Sequence, residues 1–453
     1  MSAPVLWILT PVISGGILLV LRRYRRAVWI AGSAIAFLLA VAAAVLEIGV
    51  SIDIGPIAFQ LEESFQILGR QFVLTGQDGE ILSLLFLLAA VWFLLTPLVD
   101  PGPLFIPVGM ITIGVVIAAL TVDPFLFAAI FIQMIVLISM PLLVAPGKKA
   151  GRGALRFLTY ETLGVPFILF SDWMLAGSEG SPGDFELVLR AAVLLGVGFA
   201  FFLAIFPFHS WLPMLFEESH PYIVAFVATF LFLVVTLFGL DLFERFVWLR
   251  NSQALFSVLR LGGIAMVLIG GVWAAFSEHL GRALGFAIMA VTGLILLTLS
   301  VGLVEGLGAF FSLARSSMLA ILVWSATLFL ISWGRRGMRL DDLQGAGRRS
   351  PVVAAGLILA CLTIAGYPLL AGYGLLVDLI RQLAFGGTLA AMAVVAGLAG
   401  IAIHGVRVLW AVSSVADLDP ETGGEAQEWA SLPLAHWILL LIGIGLMVLI
   451  GVL

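Results

Sequence analysis

The chain is predicted to be an all-α, polytopic membrane protein of about fourteen transmembrane helices, and three observations lead there. Of its 453 residues, 62% are hydrophobic and only 11% charged, and the mean hydropathy is +1.19. Soluble domains carry about 25% charged residues, so this chain lacks the polar surface to face water on all sides. Apolar runs of about 20 residues, the length that crosses a bilayer, recur from end to end. They fall at roughly 4–21, 27–46, 80–98, 104–122, 124–145, 155–177, 186–216, 221–243, 253–276, 283–304, 306–333, 351–385, 387–415 and 433–453. The third observation is where the basic residues lie. Loops after odd-numbered runs hold Arg22, Arg23, Arg25, Arg26, Lys148, Lys149, Arg152, Arg156, Arg282, Arg335, Arg336, Arg339, Arg348 and Arg349, whereas loops after even-numbered runs hold Arg70, Arg245 and Arg250. Lys and Arg accumulate in cytoplasmic loops, so the odd loops face the cytoplasm and both termini face outward.

Taken in order, the first run is too long for a signal-peptide core, and its arginines follow it rather than precede it. A retained helix is expected. Segment 47–79 alternates in places (V-S-I-D-I, F-Q-L) and ends in G-Q-D-G, which predicts a short outward hairpin. Residues 1–103 therefore form an N-terminal region of helices 1–3 with that hairpin. Residues 104–243 (helices 4–8) and 253–415 (helices 9–13) form two five-helix repeats. In each, the fourth run is overlong and broken by proline, at Pro207 in F-P-F-H-S-W-L-P and at Pro368 in A-G-Y-P-L-L-A-G-Y-G. Interrupted segments in corresponding positions are the sequence sign of inverted repeats with discontinuous helices. Segment 334–350, with five arginines beside Asp341 and Asp342, suits a positive-inside anchor. Residues 416–453 supply an acidic linker (416–428) and the last helix.

Several function classes find no support. The single Cys361 lies in an apolar run and has no second cysteine for an intrachain disulfide. Phosphate-loop, H-E-x-x-H, C-x-x-C and dinucleotide motifs are absent, so no cofactor, metal or nucleic-acid partner is expected. The 49 glycines suit close helix packing in lipid.

Pro207 to Pro213 (P-F-H-S-W-L-P) follows the form P-x-H-x-W-L-P, and Ala365 to Gly372 (A-G-Y-P-L-L-A-G) follows A-G-x-P-P-L-A-G. Leu137 to Pro141 (L-I-S-M-P) and Gly285 to Ser300 are weaker echoes. By these residues the chain resembles the antiporter-like membrane subunits of respiratory complex I (NADH:quinone oxidoreductase), of Mrp-type cation/proton antiporters and of membrane-bound hydrogenases. The resemblance implies an integral subunit of a prokaryotic inner membrane, with other membrane subunits and the lipid bilayer as partners. It implies H+ or Na+ as the moved ion. Any redox chemistry would belong to other subunits, so the chain itself is at most a non-catalytic part of an NADH:quinone oxidoreductase-type complex.

The resemblance also implies a mid-membrane row of ionisable groups: a glutamate in the fifth run, lysines before the first break and in the eighth run, histidine and lysine in the eleventh, and a lysine or glutamate after the second break. At those positions this chain has Val136, Phe202, Phe232, Arg315 with Leu319, and Leu376. Apolar side chains carry no proton, and arginine stays charged at physiological pH. The usual row is broken.

The remaining polar residues admit two readings each. His209, just after Pro207, is a proton relay or a partner for carbonyls freed by the proline. Glu217, Glu218 and His220 form a cytoplasmic proton entry or a solvated turn. Glu161, in T-Y-E-T of the sixth run, is a translocating acid or half of a structural pair. Asp378 and Arg381, three residues apart, form a local pair that fixes charge or belong to the path. Arg315, His404 and Arg407 extend a polar axis through the later runs or snorkel to helix ends. Two functions follow: translocation along a rearranged polar path, or a non-transporting scaffold that kept the fold.

Overall fold

A computed structural model describes residues 2–54, 57–67, 69–144, 147–179, 185–301, 303–332, 338–414, 441 and 443–445. The acidic linker 416–428 lies outside the described residues, as does the last predicted run, 433–453, apart from four positions. Arg335 and Arg336 also lie outside. The chain divides into two compact units.

The first unit comprises Met1–Ala150, Leu158–Leu203 and Phe226–Arg245. Its helices are α1 (Ala3–Val20), α2 (Arg25–Val45), α3 (Asp78–Leu94), the short α4 (Thr96–Val99), α5 (Phe105–Thr121), α6 (Leu126–Leu143) and α8 (Phe185–Phe202), with most of α7 (Arg152–Glu179) and α10 (Pro221–Arg245). α1 and α6 pack on α5, and α2 packs on α3. The close approach of α1 to α5 depends on Gly15, where a Cβ would stand 2.7 Å from the Pro107 carbonyl oxygen. Segment 47–79 forms two hairpins where one was expected. β1 (Ser51–Ile54) pairs antiparallel with β2 (Ile57–Gln60), and β3 (Ser64–Ile67) with β4 (Arg70–Val73). β4 also takes β5 (Val122–Asp123) as an edge partner. That long-range pairing cannot be read from local alternation.

The second unit comprises Gly151–Phe157, Ala204–Ala225 and Phe246–Leu453. It holds α9 (Trp211–Glu218), α11 (Val247–Arg250), α12 (Gln253–Phe276), α13 (Leu280–Val301), α14 (Leu303–Ser332), α15 (Ala346–Arg349), α16 (Pro351–Ile364), α17 (Tyr373–Gly386) and α18 (Thr388–Ser413). α13 is its centre: nearly every residue from Leu280 to Ser300 is buried, against α12, α14 and α9. The outer helices show apolar side chains to the surroundings instead. Phe385 is 93% and Leu389 79% exposed, a surface that suits lipid and not water.

Eight described helices are long and apolar enough to cross a membrane: α1, α2, α6, α10, α12, α13, most of α14, and α18. The protein is an integral membrane protein of the helical class. The overlong runs resolve into pairs, α8 with α9 and α16 with α17, separated at Pro207 and Pro368.

Candidate ion pathway

Both helix breaks are built from local chemistry. α16 ends in a Schellman motif: Gly366 (φ +72°) donates to the Thr363 carbonyl at 3.1 Å, and Tyr367 to that of Leu362 at 2.9 Å. Pro368 then prevents the helix from resuming, and α17 restarts after Gly372 (φ +85°). At the first break α8 stops at Phe202, a single 3-10 turn spans Phe208–Ser210, and α9 begins at Trp211. Each break contains a non-glycine residue in the left-handed region, Ala204 (φ +50°) and Leu369 (φ +72°). Such strain persists only where the surrounding structure holds it.

Four of the positions expected to titrate are packed shut. Val136, Phe202, Phe232 and Leu376 are all buried. Phe202 lies so close to α7 that a Cβ on Gly164 would come within 2.6 Å of its ring. Leu376 closes on the second break in the same way, 2.6 Å from a Cβ on Gly366. These contacts are those of ordinary hydrophobic packing.

Glu161 stands apart. It lies on α7 with 0% exposure, and neither carboxylate oxygen has a hydrogen-bond partner among the described residues. Burying an ionised carboxylate unpaired costs several kcal/mol, so its charge must be met by a proton or a cation. One residue along the helix, Thr162 accepts a hydrogen bond from Gln133 of α6 at 2.9 Å.

The other candidates divide. His209 is half-buried and stacked on Phe206, and its Nδ1 has no partner among the described residues. His220 stacks on Phe329 at 4.4 Å. Glu217 and Glu218 face different neighbours. Glu218 accepts from the Gly153 amide at 2.7 Å and caps the N-terminus of α7, where a carboxylate meets both an open N–H and the positive end of the helix dipole. Glu217 stands 3.7 Å from Arg282. Asp378 and Arg381 pair at 3.5 Å with more than two-thirds of each side chain exposed, and an exposed pair contributes at most about 1 kcal/mol. Arg315 is exposed and donates to its own helix, to the Phe311 carbonyl at 3.2 Å.

His404 is buried on α18, stacked against Trp324 and set beside the Ala274 backbone. Arg407, one turn on, donates to the carbonyl oxygens of Ala275 and Ser277 and so closes the C-terminus of α12. Arg407→Met is expected to leave these acceptors unmet and to lower stability by about 1–3 kcal/mol. A thermal melt of the detergent-purified chain checks this.

Two groups escaped the sequence reading. Arg260 of α12 points its guanidinium at the last turn of α13, 3.5 Å from the Ser300 carbonyl oxygen, with a buried Nε that has no partner among the described residues. An arginine inside an apolar run was the available signal. His279, in the turn between α12 and α13, sits among Glu217, Arg282 and Arg339, a grouping visible only once the chain is folded.

A family model described as NADH:quinone oxidoreductase/Mrp antiporter, TM, matches residues 125–403. The chain belongs to this family. Its matched region runs from the start of α6 through most of α18 and includes both breaks. Relatives of the NADH:quinone oxidoreductase/Mrp antiporter family include NADH-quinone oxidoreductase subunit N 2 of Solidesulfovibrio magneticus, 30% identical over 44% of this chain and 42% of the relative. NADH-quinone oxidoreductase subunit 14 of Thermus thermophilus is 28% identical over 52% of this chain and 54% of the relative. The chain thus spans about half the length of the curated relatives it matches. Solved structures share the fold over nearly the whole chain. The Mrp complex from Dietzia sp. aligns with a TM-score of 0.77 at 16% identity, covering 99% of this chain and 94% of that one. Respiratory complex I from Thermus thermophilus aligns with 0.72 at 20% identity, covering 99% and 95%.

Proposed function

We propose that the protein is an antiporter-like membrane subunit of an energy-converting complex, of the NADH:quinone oxidoreductase or Mrp kind, in a prokaryotic inner membrane. In this reading it has fourteen spans, with both termini outward and two inverted five-helix repeats (104–243 and 253–415), each with one broken helix. Residues 1–103 and 416–453 flank them. Other membrane subunits are its partners, and H+ or Na+ is the moved ion. Family membership and the two paired breaks support this architecture.

The ion follows a rearranged path. The observation that carries the proposal is Glu161, a fully buried carboxyl without a hydrogen-bond partner among the described residues. In a chain where Val136, Phe202, Phe232 and Leu376 stand at usual titrating positions, this carboxyl is, among the described residues, the buried acid that can take up and release a proton. His209 and His404 are the further candidates on the path. Arg315 and the Asp378–Arg381 pair serve as fixed charges, and Glu217, Glu218 and His220 lie at the cytoplasmic mouth.

Glu161→Gln keeps the shape and removes the proton. It is expected to lower ion translocation in membrane vesicles by roughly two orders of magnitude, the scale of a lost proton-transfer group, with assembly unchanged. Unchanged translocation in a fully assembled complex would select the scaffold reading instead.

A further inference from the structure

A cavity of about 480 Å³ opens in the second unit where α12 ends and α13 begins. Its walls have two characters. Trp273 and Phe276, on the last turn of α12, are 55% and 74% exposed and form an apolar wall continuous with the outer surface of that helix. Phe286 of α13 stacks on Trp273 from behind. The mouth, at the helix end, carries Glu217, Glu278, Arg282 and Arg339.

This mouth is held in place. The Leu280 amide donates to the Met338 carbonyl at 2.8 Å, and the Leu340 amide to that of Glu278 at 2.9 Å, so the turn and the segment bearing Arg339 form one short ribbon. Arg339 donates to Glu278 at 2.6 Å, while Arg282 and Glu217 face each other at 3.7 Å, beyond a direct hydrogen bond. A guanidinium has five N–H donors and a carboxylate about four acceptor sites, so both pairs retain capacity for a ligand. His279 adds no charge at neutral pH. Burial holds its pKa below the ordinary value; Glu217 and Asp342 oppose this, and Arg282 and Arg339 add to it. Two positive and two negative groups remain, and the lining is neutral overall.

A neutral, charge-separated mouth above an aromatic wall at a helix end matches an amphiphile whose head carries both signs. We propose that this cavity binds a zwitterionic phospholipid with a primary ammonium, its phosphate towards Arg282 and Arg339, its ammonium towards Glu217 and Glu278, and its acyl chains along Trp273 and Phe276. Guanidinium groups suit phosphate geometry, and a primary ammonium donates hydrogen bonds that carboxylates accept. A net-anionic head would bring no positive charge to the two carboxylates and would add a third negative group beside them. A quaternary ammonium would have no N–H to donate. The site stands whether or not the chain moves ions.

The test is native mass spectrometry of the full-length chain in detergent with equal amounts of phosphatidylethanolamine, phosphatidylglycerol and phosphatidylcholine. Phosphatidylethanolamine is expected to be retained on the order of tenfold better than either of the others. Arg282→Gln with Arg339→Gln should abolish that preference. Glu217→Gln with Glu278→Gln should shift it to phosphatidylglycerol, a gain that misfolding cannot mimic. Soluble phosphoethanolamine should compete with the lipid only weakly, because it lacks the chains that meet the aromatic wall. Equal retention of the three lipids, a preference that survives loss of both arginines, or a cavity filled by another chain in the intact complex would overturn the assignment.

Discussion

Gly271→Leu is expected to remove the folded protein from membranes. α12 crosses α18 with backbone against backbone. A Cβ on Gly271 would fall inside the van der Waals radius of the Gly397 carbonyl, and Cβ atoms on Gly397 and Gly400 would collide with the Val267 and Gly271 carbonyls in turn. No flexible side chain lies at the contact to give way, so the helices themselves must separate. Overpacking a core that can adjust costs about 1–3 kcal/mol. Here the crossing as a whole is lost, and Arg407 is pulled from the end of α12 with it. Gly196→Ala on α8, where a Cβ meets nothing within 4 Å, is the matched control and should melt close to the parent. Membrane abundance and the detergent melting temperature read both variants. A Gly271→Leu protein as abundant and as stable as the parent would show that this crossing is not formed.

The second large effect concerns the seat of α9. This helix has eight residues, too few for stability of its own in any solvent that competes for its hydrogen bonds. It is held by lying on α13, where Gly281 and Gly285 leave a groove one turn apart. A Cβ on Gly285 would stand 2.8 Å from the Cα of Pro213, and one on Gly281 would overlap the Phe216 carbonyl. Gly281→Leu is therefore expected to unseat α9 while leaving the long helices inserted. Amide exchange across residues 211–218 should rise by orders of magnitude, and the Glu218 cap on α7 should be lost with it. Translocation should fall as well, because His209 and the first break are continuous with α9. Parent-like protection of 211–218 in the variant would sink this account.

Much of this architecture is legible in the chain before folding. The run expected at 253–276 is α12 at Gln253–Phe276. Proline marked both breaks, and glycine the second, because their effect is local: a missing N–H, a fixed φ, or a left-handed turn ends a helix whatever surrounds it. The G-R-A-L-G spacing of Gly281 and Gly285 likewise announces that something packs closely there. The replaced titrating groups could also be read directly, since phenylalanine at 202 and leucine at 376 have no charge in any environment.

Which polar residue is buried could not be read in this way. Glu161, Arg315 and Asp378 looked alike as charges inside apolar runs, yet the first is sealed in the protein and the other two are exposed. In a water-soluble helix the polar face points outward, and the pattern itself separates inside from outside. In a membrane helix the lipid-facing and protein-facing sides are both apolar, so that contrast disappears. The sequence by itself determined that the chain is a membrane-spanning helical protein, where two of its helices break, and that the familiar ionisable row is missing. Only tertiary structure decided which helix face meets protein and which meets lipid, and so left Glu161 as the buried acid among the described residues and drew Glu217, Glu278, Arg282 and Arg339 around one cavity.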